Sequence, residues 1–184
     1  DERAPATKPR DRDASLEDLT LRYFATRGPA TVADMSWWSG LAPADVKRGI
    51  DIAGKRLRKV DLDGRPCWFS AKERAPRQRT TAHLLPNYDE YFIGLRDRGA
   101  IATRVRALHL VTGGDALIAH IAFIDGQLVG GWRRLQEPSG VAVALDLVTR
   151  ITREERTRLE GQAARLSRFL DTPVTLRDRK RAGR

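Results

Sequence analysis

The chain has 184 residues, of which 32% are charged, and a formal net charge of +10. That length suffices for one large domain or two small ones, each with its own core. Its longest apolar run, around Leu117–Ile124, is broken by His120 and too short to span a bilayer; the charged, proline-containing start lacks the apolar stretch of a signal peptide. One cysteine, Cys67, rules out an intramolecular disulfide framework or a cysteine-built zinc cage. The expectation is an intracellular chain, cytoplasmic and nucleoid-associated, with a buried reduced thiol at Cys67. The first residue is Asp, not Met, so further residues are expected upstream.

Residues 1–14 read as a linker, charged and proline-interrupted. The first helix is expected to start at Ser15, with Asp18 completing a capping-box-like pair and Leu16, Leu19, Tyr23 and Phe24 forming its apolar stripe. Gly28-Pro29 stops it. Thr31 and Asp34 cap a second helix that ends at Gly40. Pro43 suits the first position of a third, buried through Val46, Ile50, Ala53 and Leu57. The period then becomes alternating: Val60 and Leu62, a tight Asp63-Gly64 turn, then Cys67 and Phe69 make a hairpin. Three helices and a hairpin are the order of a winged helix-turn-helix, placed at 15–70.

Residues 71–82 read as a basic linker. A second unit at 83–173 begins with a short strand at Leu84-Leu85-Pro86, followed by a short helix over Ala100–Leu108. Leu117–Ile124, Asp125-Gly126 and Leu128–Trp132 give a hairpin, and Val141–Leu147 another strand. Thr152 and Glu155 cap a last helix with Leu159, Ala163, Leu166 and Leu170 on its buried side. Residues 174–184 read as a basic tail. The fold class is therefore α+β: a winged helix-turn-helix, then a small antiparallel-sheet unit with a C-terminal helix.

The charge is unevenly placed. Residues 47–82 sum to +7 and 177–184 to +4, against −2 for 1–46 and +1 for 83–176. Localised positive charge beside a hairpin suits duplex DNA better than a membrane, which would call for a basic amphipathic helix. Lys47, Arg48, Lys55 and Arg58 are expected on the outward sides of the third helix, extended by Arg56 and Lys59, with Arg65 just past the hairpin turn. Acidic partners are scarce in that stretch. Arg133 and Arg134 close the second hairpin and are further candidates. Such residues position a phosphate backbone without reading bases.

Trp37 and Trp38 read as core packing. His83, His109 and His120 have no metal-ligand spacing, so neither a metal nor a cofactor is expected. Gly130-Gly131 reads as bulge glycines that would let another backbone, DNA's included, approach closely. Asn87–Arg98 (NYDEYFIGLRDR) is the densest polar cluster. It would serve either as a carboxylate-based catalytic site or as a buried network that fixes the sheet.

Three stretches together carry a resemblance: RYFATRGPATVADMSWWSGL, LLPNYDEYFIGLRDR and FIDGQLVGGW. In this order, over about residues 15–172, they resemble the AlkZ-type DNA glycosylase family. The resemblance implies winged helices around a DNA groove and cleavage of N-glycosidic bonds of alkylated or crosslinked bases by an activated water. Asp89, Tyr91, Gly94, Asp97 and Arg98 match its signature positions and would be mainly structural. In the family a Q-x-Q or Q-x-D motif in the N-terminal half holds the water. Gln78, Gln127, Gln136 and Gln162 are the only glutamines here and none forms that motif, so no catalytic residue is assigned and enzyme activity of this chain is left open.

The expected function is DNA binding by a monomeric module of a DNA-repair glycosylase-like protein. The alternative is a winged-helix transcriptional regulator, which would need a dimer to read paired half-sites.

Overall fold

The computed structural model describes residues 11–72, 80–105 and 120–179. The chain divides into two compact units, Asp1–Pro76 with Gly94–Arg96, and Arg77–Ile93 with Asp97–Arg184.

The first unit holds α1 (Arg12–Arg27), α2 (Val32–Ser39), α3 (Pro43–Ala53) and the hairpin of β1 (Leu57–Leu62) and β2 (Arg65–Ser70). Helix α1 starts earlier than the sequence pattern implies. Asp11 is the N-cap, its carboxylate accepting from the Asp13 and Ala14 amides at 3.0 and 3.2 Å. Ser15 lies inside the helix and donates its hydroxyl to the Asp11 carbonyl. The expected linker is thus helical from residue 12. At α2 the Thr31–Asp34 capping box forms in both directions, and Gly40 ends the helix at φ 73°, a left-handed geometry that costs glycine little.

Helix α3 crosses α1 at Gly49. A β-carbon there would lie 2.2 Å from Thr20 Oγ1, so only glycine permits this approach. Tyr23, Phe24, Met35, Val46 and Ala53 fill the core, with Leu57 at its edge. Leu57 belongs to β1 rather than to the helical stripe, because Gly54 caps α3 after Ala53. Asp63 and Gly64, both at positive φ, turn the hairpin, and Asp61 accepts the Gly64 amide at 2.8 Å. Ala30, between α1 and α2, pairs with Trp68 of β2 through two backbone hydrogen bonds, which anchors the hairpin to the helices.

The second unit is a five-stranded sheet in the order β3 (Ala82–Leu85), β4 (His120–Ile124), β5 (Gln127–Glu137), β6 (Gly140–Leu147), β7 (Val174–Asp178). Four strands are antiparallel neighbours and β7 joins β6 in parallel. Residues 174–178, expected as the start of a tail, are therefore an edge strand. Alternation of Val174 and Leu176 with polar residues supplies the inward face that the basic composition obscured.

Helix α5 (Arg153–Leu170), opened by the Thr152–Glu155 capping box, covers one sheet face through Leu159 and Ala163 against Ala122, Ile124, Val143 and Leu145. The other face buries Ile121, Phe123 and Leu128 under Phe92, Ile101 and Val105. Phe92 comes from α4 (Glu90–Ile93). Instead of the helix expected over 100–108, a single 3-10 turn spans Gly99–Ile101, and 106–108 lie outside the described residues. So do Leu117–Ala119, His109, Gln78, most of the basic linker and the last five residues.

Among the described residues no helix is long and apolar enough to cross a membrane.

Candidate nucleic-acid interface

The structure sorts the first unit's cations into two groups. Arg48 sends Nε and Nη2 to the two carboxylate oxygens of Asp13, at 2.6 Å each. This pair holds the Asp13 carboxyl below its usual range and the Arg48 guanidinium above its own. Arg12 donates to Asp45 at 2.7 Å, and Arg56 pairs with Glu17. These ion pairs stitch α1 to α3 and to the 3-10 turn that follows it. The partners lie 33 to 39 residues apart, so a local charge count misses them. The one available signal was the acidic run in residues 11–18.

Lys47, Lys55 and Arg58 form the second group. All three are exposed and make no hydrogen bond or ion pair among the described residues. They do not share one helix: Lys47 is on α3, Lys55 in the 3-10 turn Gly54–Arg56, and Arg58 on β1. The expectation of four cations on the third helix is corrected, because Gly54 ends that helix early. Lys59 lies 5.7 Å above the Trp68 ring, and Arg65 is half-buried at the start of β2.

Arg133 and Arg134 are exposed and likewise unpaired among the described residues. They sit within β5, opposite Ala144 and Val143 of β6, not at a hairpin end, because β5 runs on to Glu137.

The Asp125-Gly126 turn is held on several sides. Asp125 accepts from the Thr81 amide at 2.7 Å and from Arg158 at 3.2 and 3.3 Å. Tyr91 donates its hydroxyl to the Gly126 carbonyl at 3.3 Å. Gln127 accepts from Thr103 and donates to the Ala100 carbonyl. A turn so fastened is a poor free-standing probe. The close approach expected at Gly130 is made by the protein itself: a β-carbon there would lie 2.3 Å from the Asp146 carbonyl oxygen. Val129 is the extra residue of the β-bulge beside it.

Within the signature stretch, Asp89 accepts the Tyr91 amide with its side chain and the Phe92 and Ile93 amides with its carbonyl, opening α4. Tyr91 stands edge-on to Phe123, and burial pushes its phenol up. Arg98 donates Nε to the Phe92 carbonyl at 2.8 Å and lies 4.7 Å over its ring; burial lowers its guanidinium. Asp97 accepts the Gly99 amide. Gly94–Arg96 packs with the first unit, where the Arg96 amide donates to buried Asp34 at 3.0 Å.

Trp37 and Trp38 are 51% and 38% exposed, which corrects their reading as core. Trp38 packs on Tyr23, with Arg27 over its ring. Cys67 is buried and burial pushes its thiol up. No cluster of His, Cys, Asp and Glu among the described residues has the makings of a metal site.

Comparison with known proteins matches this architecture. The DNA glycosylase AlkZ-like family matches residues 1–169. The interstrand DNA cross-link repair glycosylase of Streptomyces sahachiroi is 24% identical over 128 residues, which are 65% of this chain and 34% of that protein. The solved structure of Streptomyces sahachiroi DNA glycosylase AlkZ superposes with a TM-score of 0.73 at 20% identity, covering 96% of this chain and 49% of that one. The chain thus spans about half the length of that solved relative or less. It belongs to the AlkZ-like DNA glycosylase family.

Proposed function

We propose that the first unit is a winged helix-turn-helix that grips duplex DNA in a DNA-repair glycosylase-like protein. The observation that carries this reading is the sorting of charge. Once Arg48 and Arg56 are neutralised by Asp13 and Glu17 of α1, and Arg12 by Asp45 of α3, Lys47, Lys55 and Arg58 remain unpaired among the described residues, on α3, its trailing turn and the hairpin. Those are the elements that enter or flank a groove in winged-helix proteins. The Ala30–Trp68 bridge supports the same assignment by tying the hairpin to the helices as a wing.

Arg65 and, in the second unit, Arg133 and Arg134 are further phosphate contacts. The whole protein would act on alkylated or crosslinked bases; the name of its Streptomyces relative indicates interstrand cross-link repair for that enzyme. No residue of this chain is assigned to bond cleavage: Gln127 and Gln136 spend their amides on Thr103, Ala100 and Gly140. The chain is proposed to bind DNA as a monomer and not to excise bases alone.

Anisotropy of a labelled duplex titrated with this chain across a salt series tests the reading. Binding should weaken steeply with salt, since each neutralised phosphate contributes about 0.9 to the log–log slope. Absence of binding at low salt, or binding indifferent to salt, overturns it.

A further inference from the structure

Tyr88 is anomalous in two ways at once. Its φ is +57°, the left-handed region that a bulky L-residue occupies only at a cost. Its ring is 60% exposed and makes no hydrogen bond or ring contact among the described residues. Glycine would relieve the backbone and remove the exposed apolar surface. The flanks hold the residue where it is. Pro86 precedes it by two residues, and Asp89 caps α4 immediately after it. Strain of this kind persists only where the surroundings over-determine it, and it concentrates at ligand contacts. Tyr91, three residues on, differs in being bonded to Gly126 and packed on Phe123.

The sheet register places charge at the same end. Leu85, Ile121 and Gly131 share a row across β3, β4 and β5. Strands β3 and β5 both run antiparallel to β4 and so leave that row in the same direction. β3 leads on to Tyr88, while β5 leads to Arg133 and Arg134. Trp132 Nε1–H ties the two strands at the Leu85 carbonyl, 2.9 Å away. A single aromatic ring with exposed polar neighbours Asn87 and Glu90 is no apolar patch for a protein partner. A flat ring at the same end of a sheet as a guanidinium group unpaired among the described residues is a combination with which proteins hold a nucleobase that has left its stack.

We infer that Tyr88 is a stacking residue for an unpaired nucleobase, with Arg133, on the sheet face that Ile121 and Phe92 share, holding an adjoining phosphate. This deepens the proposed function and rests on it. The test uses the full 184-residue chain and two duplexes, one fully paired and one with 2-aminopurine opposite an abasic site. The wild-type chain should bind the second more tightly and quench its 2-aminopurine fluorescence.

Tyr88→Phe should keep both properties. Tyr88→Gly should lose the quenching and bind that duplex about 10-fold more weakly, while its affinity for the paired duplex is unchanged. Its Tm should rise by about 2 °C as the strain is released. Wild-type quenching that survives Tyr88→Gly, or a fall in Tm for that variant, overturns the inference and leaves DNA binding standing. A wild-type chain that binds the paired duplex without quenching 2-aminopurine in the other does the same. If it binds neither duplex, the proposed function falls and takes the inference with it.

Discussion

Arg48 of α3 and Asp13 of α1 form a two-pronged ion pair, Nε to Oδ1 and Nη2 to Oδ2, at 2.6 Å each. A guanidinium locked in this way is poorly placed to neutralise a phosphate, although it stands one residue from Lys47, which has no partner among the described residues.

The first prediction follows from that difference. Replacing Lys47, Lys55 and Arg58 together with Ala should lower duplex affinity and reduce the salt slope by about 2.7, at 0.9 per lost contact. Arg48→Ala should change the slope little, because its charge is already matched by Asp13. Anisotropy across salt separates the two variants. An equal loss from Arg48→Ala would mean that the pair opens on DNA.

Gly49→Ala should destabilise the first unit by about 1–3 kcal/mol, the usual cost of forcing a methyl into a packed core. The new β-carbon would meet Thr20 Oγ1 at 2.2 Å and the Leu16 carbonyl at 3.2 Å. Thr20 Oγ1 is buried with no hydrogen-bond partner among the described residues, so Thr20→Ala alone should be close to neutral. The double variant should recover part of the loss. Urea denaturation of the four proteins measures the coupling, and strict additivity would refute the contact.

Gly130→Ala should be worse tolerated, because the obstacles are backbone: the Asp146 carbonyl oxygen at 2.3 Å and Leu147 Cα at 2.8 Å. Neither can rotate away without parting β5 from β6. A cost above about 3 kcal/mol, or failure to fold, is expected. A stable variant with weakened DNA binding would instead restore the idea that the gap at this glycine admits DNA.

Glu155 predicts an acid limb of stability. Its carboxylate accepts from Arg104 at 2.7 Å and from the Thr152 amide at 2.8 Å, and the Arg104 hydrogen bond holds its pKa below the ordinary 4.5. Because the folded-state value is the lower one, the contribution is fully present above the unfolded value and is lost as pH falls through the folded one. Glu155→Gln should lower Tm at neutral pH, and the gap to wild type should close at acid pH as the wild-type carboxylate is protonated. Calorimetry from pH 7 downwards checks this. A gap constant with pH would show that the charge is irrelevant.

Much of the fold was legible because local chemistry decides it. Thr31–Asp34 and Thr152–Glu155 are capping boxes in the sequence and in the structure. Asp63-Gly64 and Asp125-Gly126 turn their hairpins at positive φ as such pairs do. The start of α1 was misplaced because two caps compete: Asp11 accepts two amides, while Ser15 merely returns its hydroxyl to Asp11.

The candidate site was less legible, since its meaning depends on pairings across the chain. Nothing local distinguishes Arg48 from Lys47; only the approach of α1 does. In the sequence Tyr88 is one aromatic in a polar run, and a backbone angle leaves no trace in composition. Trp37 and Trp38 look like core by residue type, yet Met35 on the same short helix is the residue fully buried.

The parallel edge strand also bears on solubility. β6 carries Val141, Ala142, Val143, Ala144 and Leu145 in succession, all buried, and such an apolar, β-prone segment templates intermolecular pairing when its edge is bare. β7 occupies that edge, its outward residues Thr175 and Arg177 are polar or charged, and Asp178 pairs with Arg156 of α5. β7 thus acts as a gatekeeper against aggregation, and a chain cut after Pro173 would present an amyloid-like strand to its neighbours.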